Sequence, residues 1–164
     1  MANRFVRRGN TDLWFISTLA SPTAPSITTD IGGGVSLGLH VSEISGFSST
    51  GTFVETPDFG SSVVSKIPGT DELTDSALTI YEYDVDADNP LKTTLAKGTS
   101  GYVLMAPHGG ENTNGSMKVG QKVNVFPVQV ASTSDNFDSG NVGATWTCSM
   151  AITSAPYYRV SVVT

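Results

Sequence analysis

Charge is scarce in this chain: Asp, Glu, Lys and Arg together make up 15% of the residues. Coiled coils and solvated helical bundles draw on far more of them, and with 17 glycines and 8 prolines the composition favours strands and turns. Basic residues are the scarcer sign, 9 against 15 acids, for a net charge of -6. That balance argues against the counterion-releasing basic surface by which proteins grip nucleic acid. Cysteine is all but missing. Cys148 alone allows no internal disulfide, which suits a reducing compartment or a fold independent of such bonds. Long apolar runs are missing too: no stretch approaches the ~18 apolar residues of a membrane span, and the basic start, Met1 to Arg8, lacks the apolar core of a secretory signal. The expectation is a soluble chain without membrane association. Its 164 residues suit one domain of about 100–200 residues, able to bury roughly 70% of its extended surface without a metal or disulfide staple.

What is present reads as short strands punctuated by turns. DLWFISTL (12–19) is an apolar, aromatic strand ended by Pro22 and Pro25, which cannot continue a ladder. Gly32-Gly33-Gly34 is a flexible break before a second strand region over 35–47. Residues 46–69 scatter Phe47, Phe53, Phe59, Val63 and Val64 among Ser, Thr, Gly and Pro, and predict a long hairpin or extended loop. ALTIYEYDV (77–85) has the β-branched and aromatic content of a strand. One short helix is expected next: Asn89 as N-cap, Pro90 at the first position, Leu91 and Leu95 one turn apart, Lys97 in the last turn and Gly98 closing it. GYVLMAP (101–107) is a strand. In MKVGQKVNVFPVQVAS (117–132) a bulge at Phe126-Pro127 would bring Val123, Val125, Val128 and Val130 to one face. The cleanest alternation is 145–153, with Trp146, Cys148, Met150 and Ile152 on the packed face and Thr145, Thr147, Ser149, Ala151 and Thr153 on a small polar one. YYRVSVVT (157–164) closes the chain as a last strand. About eight strands at this spacing predict a mainly β, antiparallel sandwich or barrel in a single domain over 1–164, without an internal repeat.

No constellation of catalytic residues stands out. Asp84-Val85-Asp86-Ala87-Asp88-Asn89 opens like a calcium loop, but Asn89 stands where glycine is needed and Leu95 where the loop ends on glutamate. Only His40, His108 and Cys148 offer nitrogen or sulfur to a zinc ion, and Cys148 falls on the packed face of its strand. His108 has no serine or cysteine nucleophile in a recognisable frame. The triple glycine leads into neither a Lys-Ser/Thr pair nor a helix, so it cannot cradle phosphate as a P-loop does. No metal, cofactor or enzymatic activity is expected.

The charges are unevenly placed. Asp71, Glu72, Asp75, Glu82, Asp84, Asp86 and Asp88 are seven of the 15 acids, and no Lys or Arg falls between Lys66 and Lys92. Such a band is a solvated face, or a surface that repels a polyanion. Arg4, Arg7 and Arg8 crowd the opposite sign into the basic segment 1–11, either as a free tail or as a contact for the acidic band of a neighbouring copy.

The order of these features resembles the tail tube (major tail) proteins of long-tailed bacteriophages: an apolar first strand and Pro-rich turn, GF…ETPDFG…SKIPG, YEYDVDADNPL into one helix, then GYVLMAP, KVNVFPVQVAS and a final strand. The likeness spans most of the chain and rests on the succession of elements, since this family has no catalytic fingerprint. It implies a β-sandwich or half-barrel with one flanking helix, closing into hexameric rings that stack into a tube in the virion tail, assembled in the host cytoplasm. About four strands from each of six subunits would make a barrel of about 24 strands, roughly 37 Å across at ~4.8 Å spacing and ~48 Å with a 40° tilt, wide enough for duplex DNA. The resemblance further implies a ring-stacking arm at 47–69 anchored by Phe47, Phe53, Val54, Phe59, Val63 and Ile67, and a lumen lined by Thr145, Thr147, Ser149, Ala151 and Thr153. Its partners would be other copies of the chain, a tape-measure protein, tail terminator and tip proteins, and DNA in transit without specific binding. The competing reading is a phage head or fibre decoration module, or a carbohydrate-binding sandwich. Such a module would expose Trp14, Trp146 or several tyrosines on one face, whereas a tube subunit is expected to bury Trp146.

Overall fold

The computed structural model describes residues 10–83, 90–108, 117–137 and 143–164. Ten strands are present among them: β1 Asp12–Ile16, β2 Val35–Ser36, β3 Val41–Ser45, β4 Ser49–Thr56, β5 Ser65–Leu73, β6 Ser76–Tyr81, β7 Ser100–Ala106, β8 Lys122–Asn136, β9 Thr145–Ile152 and β10 Tyr157–Ser161. One helix, α1, spans Pro90–Thr94. Eight strands form one antiparallel sheet in the order β2-β1-β7-β8-β9-β6-β3, with β10 also paired to β8; β4 and β5 form a separate two-stranded hairpin. The mainly β architecture with a single short helix is the expected one.

Burial on both faces of the sheet centre explains why the apolar strands are dense rather than strictly alternating. Leu13 and Phe15 of β1, Val103 of β7, Phe126, Val128 and Val130 of β8, and Trp146, Cys148 and Met150 of β9 point into the main core. Leu78 and Ile80 of β6, Leu91 of α1, Leu95 just past it, Leu37 and Phe47 complete it. On the other face Ile16, Leu104, Val123 and Val125 meet Leu19, Ile31, Met117 and Val162 in a second core. The loop after β1 folds over this second core around buried Asp30, whose carboxylate accepts the backbone N–H groups of Ala20 at 3.1 Å and Ser26 at 2.9 Å.

The expected bulge at Phe126-Pro127 is therefore corrected. The β7–β8 register runs unbroken through these residues, and Val123 and Val125 face the opposite side of the sheet from Val128 and Val130. Pro127 is tolerated because its carbonyl accepts from the N–H of Thr153, on the side away from β7. The N–H that proline lacks would lie on that side, where β9 has ended and β10 has not begun. The phase shift comes four residues later, between Val130 and Ser132, and it turns Ser132, Ser134 and Asn136 onto the polar face of β9.

The helix forms around Leu91 and Leu95, with the Leu95 N–H donating to the Leu91 carbonyl at 2.8 Å. The expected closure by Gly98 is corrected: the helix ends at Thr94, and Gly98, at φ +89°, turns the chain four residues later, its N–H donating to the Val130 carbonyl. Lys97 lies past the helix rather than in its last turn, where Lys92 sits. The expected N-cap, Asn89, lies outside the described residues.

Candidate assembly surfaces

Between β3 and β4 the chain leaves the main sheet. Gly46 and Phe47 both take left-handed backbone, at φ +73° and +55°. A Cβ on Gly46 would fall 2.2 Å from the Asp75 carbonyl, so this position requires glycine. Phe47 bears its backbone strain because its ring packs edge-on against Phe126 at 5.4 Å and its N–H donates to Ser76 Oγ at 2.9 Å. It is 7% exposed. Phe47 is thus corrected from arm to core: it fixes the root of the hairpin and is no part of its projecting tip.

Beyond that root, β4 and β5 pair with each other over Ser49–Thr56 and Ser65–Leu73. The predicted loop is a hairpin that runs on to Leu73, because Asp71, Glu72 and Leu73 pair with Gly51, Thr50 and Ser49. Apart from its root, where Ser49 Oγ meets Tyr158 OH at 3.1 Å, the hairpin has no extensive packing against another strand or helix among the described residues. Every residue of β5 is exposed. Phe53 is 69% exposed and Phe59, at the turn, fully so, with Val54, Val63, Val64 and Ile67 also open to solvent. A two-stranded hairpin is marginal by itself, and this concentration of uncovered apolar side chains marks an interaction surface.

The second surface is the polar face of β9. Thr145, Thr147 and Ser149 are half-buried and Ala151 exposed, while Trp146, Cys148 and Met150 are buried behind them. Thr153 is exposed just past the strand end. Register places Ser132, Ser134 and Asn136 of β8 beside Ser149, Thr147 and Thr145, and Ala77, Thr79 and Tyr81 of β6 on their other side. Asn136 Nδ2 donates to Thr145 Oγ1 at 3.2 Å and to Thr147 Oγ1 at 2.9 Å. The result is a three-strand face of small hydroxyl, amide and methyl groups with one tyrosine and no Lys or Arg among the residues just named. The β8 and β6 contributions escaped sequence reading. ASTSDN (131–136) has loop composition, and only the shift after Val130 shows it to be strand.

Among the described residues, the acids of the 71–88 band do not lie on this face. Asp71 and Glu72 are exposed on β5, Asp75 is exposed in the link to β6, and Asp84, Asp86 and Asp88 fall outside the described residues. Glu82 is no free surface acid: Lys92 of α1 bridges it to Asp135, 3.1 Å from the latter. The Glu82 and Asp135 carboxylates hold the Lys92 ammonium well above the usual lysine range. Arg4, Arg7 and Arg8 are likewise outside the described residues.

The remaining candidates are structural. Trp146 is buried as expected and Trp14 is half-buried; the indole Nε1 of each is buried without a hydrogen-bond partner among the described residues. Burial pushes the Cys148 thiol up to about 12, leaving it protonated and inert. His40 pairs through Nδ1 with Tyr83 OH at 2.9 Å. The carbonyl of His108 accepts from Gln121 at 3.3 Å. Among the described residues no cluster of His, Cys, Asp or Glu has a metal-binding arrangement, and no helix is long and apolar enough to cross a membrane.

Comparison with known proteins places these surfaces in context. A family model described as phage tail tube protein matches residues 1–164. Among solved structures, the fold is similar to a chain of the anti-feeding prophage baseplate in a six-fold symmetrised cryo-EM structure. That match has a TM-score of 0.62 at 10% identity, covering 96% of each chain. It is also similar to a chain of the PVC sheath/tube terminator of an extracellular contractile injection system in the extended state, at TM-score 0.60 and 10% identity, over 96% of this chain and 98% of that one. No curated protein matches the sequence.

Proposed function

We propose, from the premise that the chain belongs to the phage tail tube protein family, that its copies close into hexameric rings and that these stack into the conduit for DNA ejection. Membership makes the chain a structural subunit of the virion tail. The finer reading concerns how the subunit does this work, which is non-catalytic: it builds a wall and keeps that wall from binding what passes.

The observation that carries the reading is the uncharged face spread over β8, β9 and β6. Its Thr145, Thr147, Ser149, Ser132 and Ser134 hydroxyls are backed by a buried apolar layer, so the sheet is rigid on one side and wetted on the other. Turned inward, such a face meets DNA phosphates without a cation that would release counterions and hold the strand. The chain's net charge of -6 adds repulsion at longer range, reaching about 8–10 Å at physiological salt. Weak adhesion is the working property.

The hairpin supplies the second requirement. It projects from the body with Phe53, Val54, Phe59, Val63 and Ile67 uncovered, in keeping with an arm that engages the adjacent ring. An arm on one part of the subunit and a receiving surface on another make a heterologous contact, which propagates instead of closing on itself. Six-fold symmetry is supported by the six-fold symmetrised baseplate in which a structurally similar chain sits. The basic segment with Arg4, Arg7 and Arg8 is assigned to an ionic contact with acids such as Asp71, Glu72 and Asp75 of a neighbour. A tape-measure protein inside the growing tube and terminator and tip proteins at its ends complete the set of partners, and assembly takes place in the host cytoplasm.

Electron microscopy of the purified protein tests this directly. Spontaneous rings or tubes with an open bore are expected. A persistent monomer that binds glycans would instead fit the decoration-module reading.

A further inference from the structure

The main core is open on one side. A trough of about 780 Å³ runs between β3 and the β1–β7 pair, floored by Leu13, Val41, Phe47, Met105 and Phe126. This falls in the ~300–1,000 Å³ range of clefts that seat ligands. At its rim Leu39 is 81% exposed and Ile44 is exposed as well, and Glu43 is the one charged residue of the lining. β3 pairs with β6 on one side and, among the described residues, has no strand on the other. An open apolar cleft beside a bare strand edge is suited to an apolar, strand-like segment, which fills the cleft with side chains and meets the edge with its backbone.

This chain carries a segment of that kind in its hairpin, yet its own hairpin is not the occupant. The hairpin's root, Gly46 and Phe47, lines the trough itself. From there β4 runs 8 residues outward, about 26 Å at ~3.3 Å per residue, and Ser49 ties its base to Tyr158. The tip therefore points at something beyond the subunit.

The geometry points to a second copy: the apolar hairpin tip of one subunit, with Phe53, Phe59 and Val63, seats in the trough between β3 and β7 of the next. Each copy is at once donor and receiver, through patches a hairpin's length apart, so every subunit added exposes a fresh trough or a fresh tip. This rests on the tube reading and adds the receiving surface to it. It also gives the trough and the hairpin one shared reason for being uncovered in the isolated subunit.

Cross-linking in the full-length protein tests the contact. Leu39→Cys and Ser62→Cys, both at exposed positions and the second beside the apolar tip residues without replacing one, are placed on separate chains, mixed, and treated with a short flexible bismaleimide. Cys148, buried and protonated, does not compete. The mixture is expected to yield covalent dimers at least tenfold above either variant alone. If the mixture gives no excess yet forms tubes, the docking is overturned and the tube reading stands; if it gives neither dimers nor tubes, both fall. Ile44→Asp provides a second reading, with loss of tubes expected while the tryptophan fluorescence of the folded subunit is unchanged. Wild-type tubes from that variant would overturn the docking.

Discussion

Replacing Phe53 and Phe59 together by serine separates what the hairpin does for the subunit from what it does for the assembly. Within the subunit these rings are 69% and fully exposed, so the double variant should unfold within about ±0.5 kcal/mol per site of the parent. In the assembly each ring passes from water into an apolar contact, and burying a side chain of this size contributes about 1.5–3 kcal/mol. Two rings give about 3–6 kcal/mol per contact. Since each 1.4 kcal/mol is about a factor of ten, the concentration at which tubes appear should rise on the order of a hundredfold to ten-thousandfold. Sedimentation of tubes against total protein concentration reads this threshold, and thermal melting followed by tryptophan fluorescence reads subunit stability. Tubes at the parental threshold would refute the arm; so would a melting temperature that falls along with assembly, since the hairpin would then be serving its own subunit's core.

Three further outcomes follow from other parts of the structure. Lysines introduced as Thr147→Lys and Ser149→Lys should leave the subunit folded, at a cost of about 1 kcal/mol for the lost Thr147–Asn136 hydrogen bond, but slow DNA ejection from virions; unchanged ejection would remove β9 from the bore. Burial raises the Asp12 carboxyl above its ordinary 3.8, with a hydrogen bond to Gln121 offsetting part of the rise. A raised folded-state value means stability is lost as pH climbs from about 3.8 through it, so Asp12→Asn should melt higher than the parent at neutral pH and lose that advantage near pH 3, in melts recorded across the range. Cys148 should ignore thiol reagents at neutral pH in the native protein and react once denatured; labelling of the folded chain would contradict its burial.

Local signals were legible wherever one periodicity or one stop signal governed a segment. The alternation of Trp146, Cys148 and Met150 with Thr145, Thr147 and Ser149 is β9; Pro90 and Leu91 open α1, although it stops at Thr94, short of the expected Gly98; and the apolar residues scattered from Phe53 to Ile67 are the projecting hairpin. Reading failed where tertiary context decides. Val123 to Val130 look like one apolar face interrupted by proline, but β8 is buried on both sides, and that depends on a loop from residues 17–34 returning to cover the second core. Phe47 looks like its neighbours Phe53 and Phe59, and only the left-handed turn at Gly46 sends it inward. The polar run ASTSDN reads as loop because its strand character comes from pairing with β9, and the trough beside β3 arises from residues far apart in the chain.

The central claim is that the hydroxyl face of β9 and its neighbours lines a bore free of cations. A cryo-EM reconstruction of tubes grown from the purified protein, at side-chain resolution, tests it most directly. The account predicts Thr147 and Ser149 at the inner wall, with Ser132, Ser134 and Thr79 beside them and no Lys or Arg within reach of a passing phosphate. A bore lined by basic side chains, or a β9 face turned outward or sealed between subunits, would contradict it.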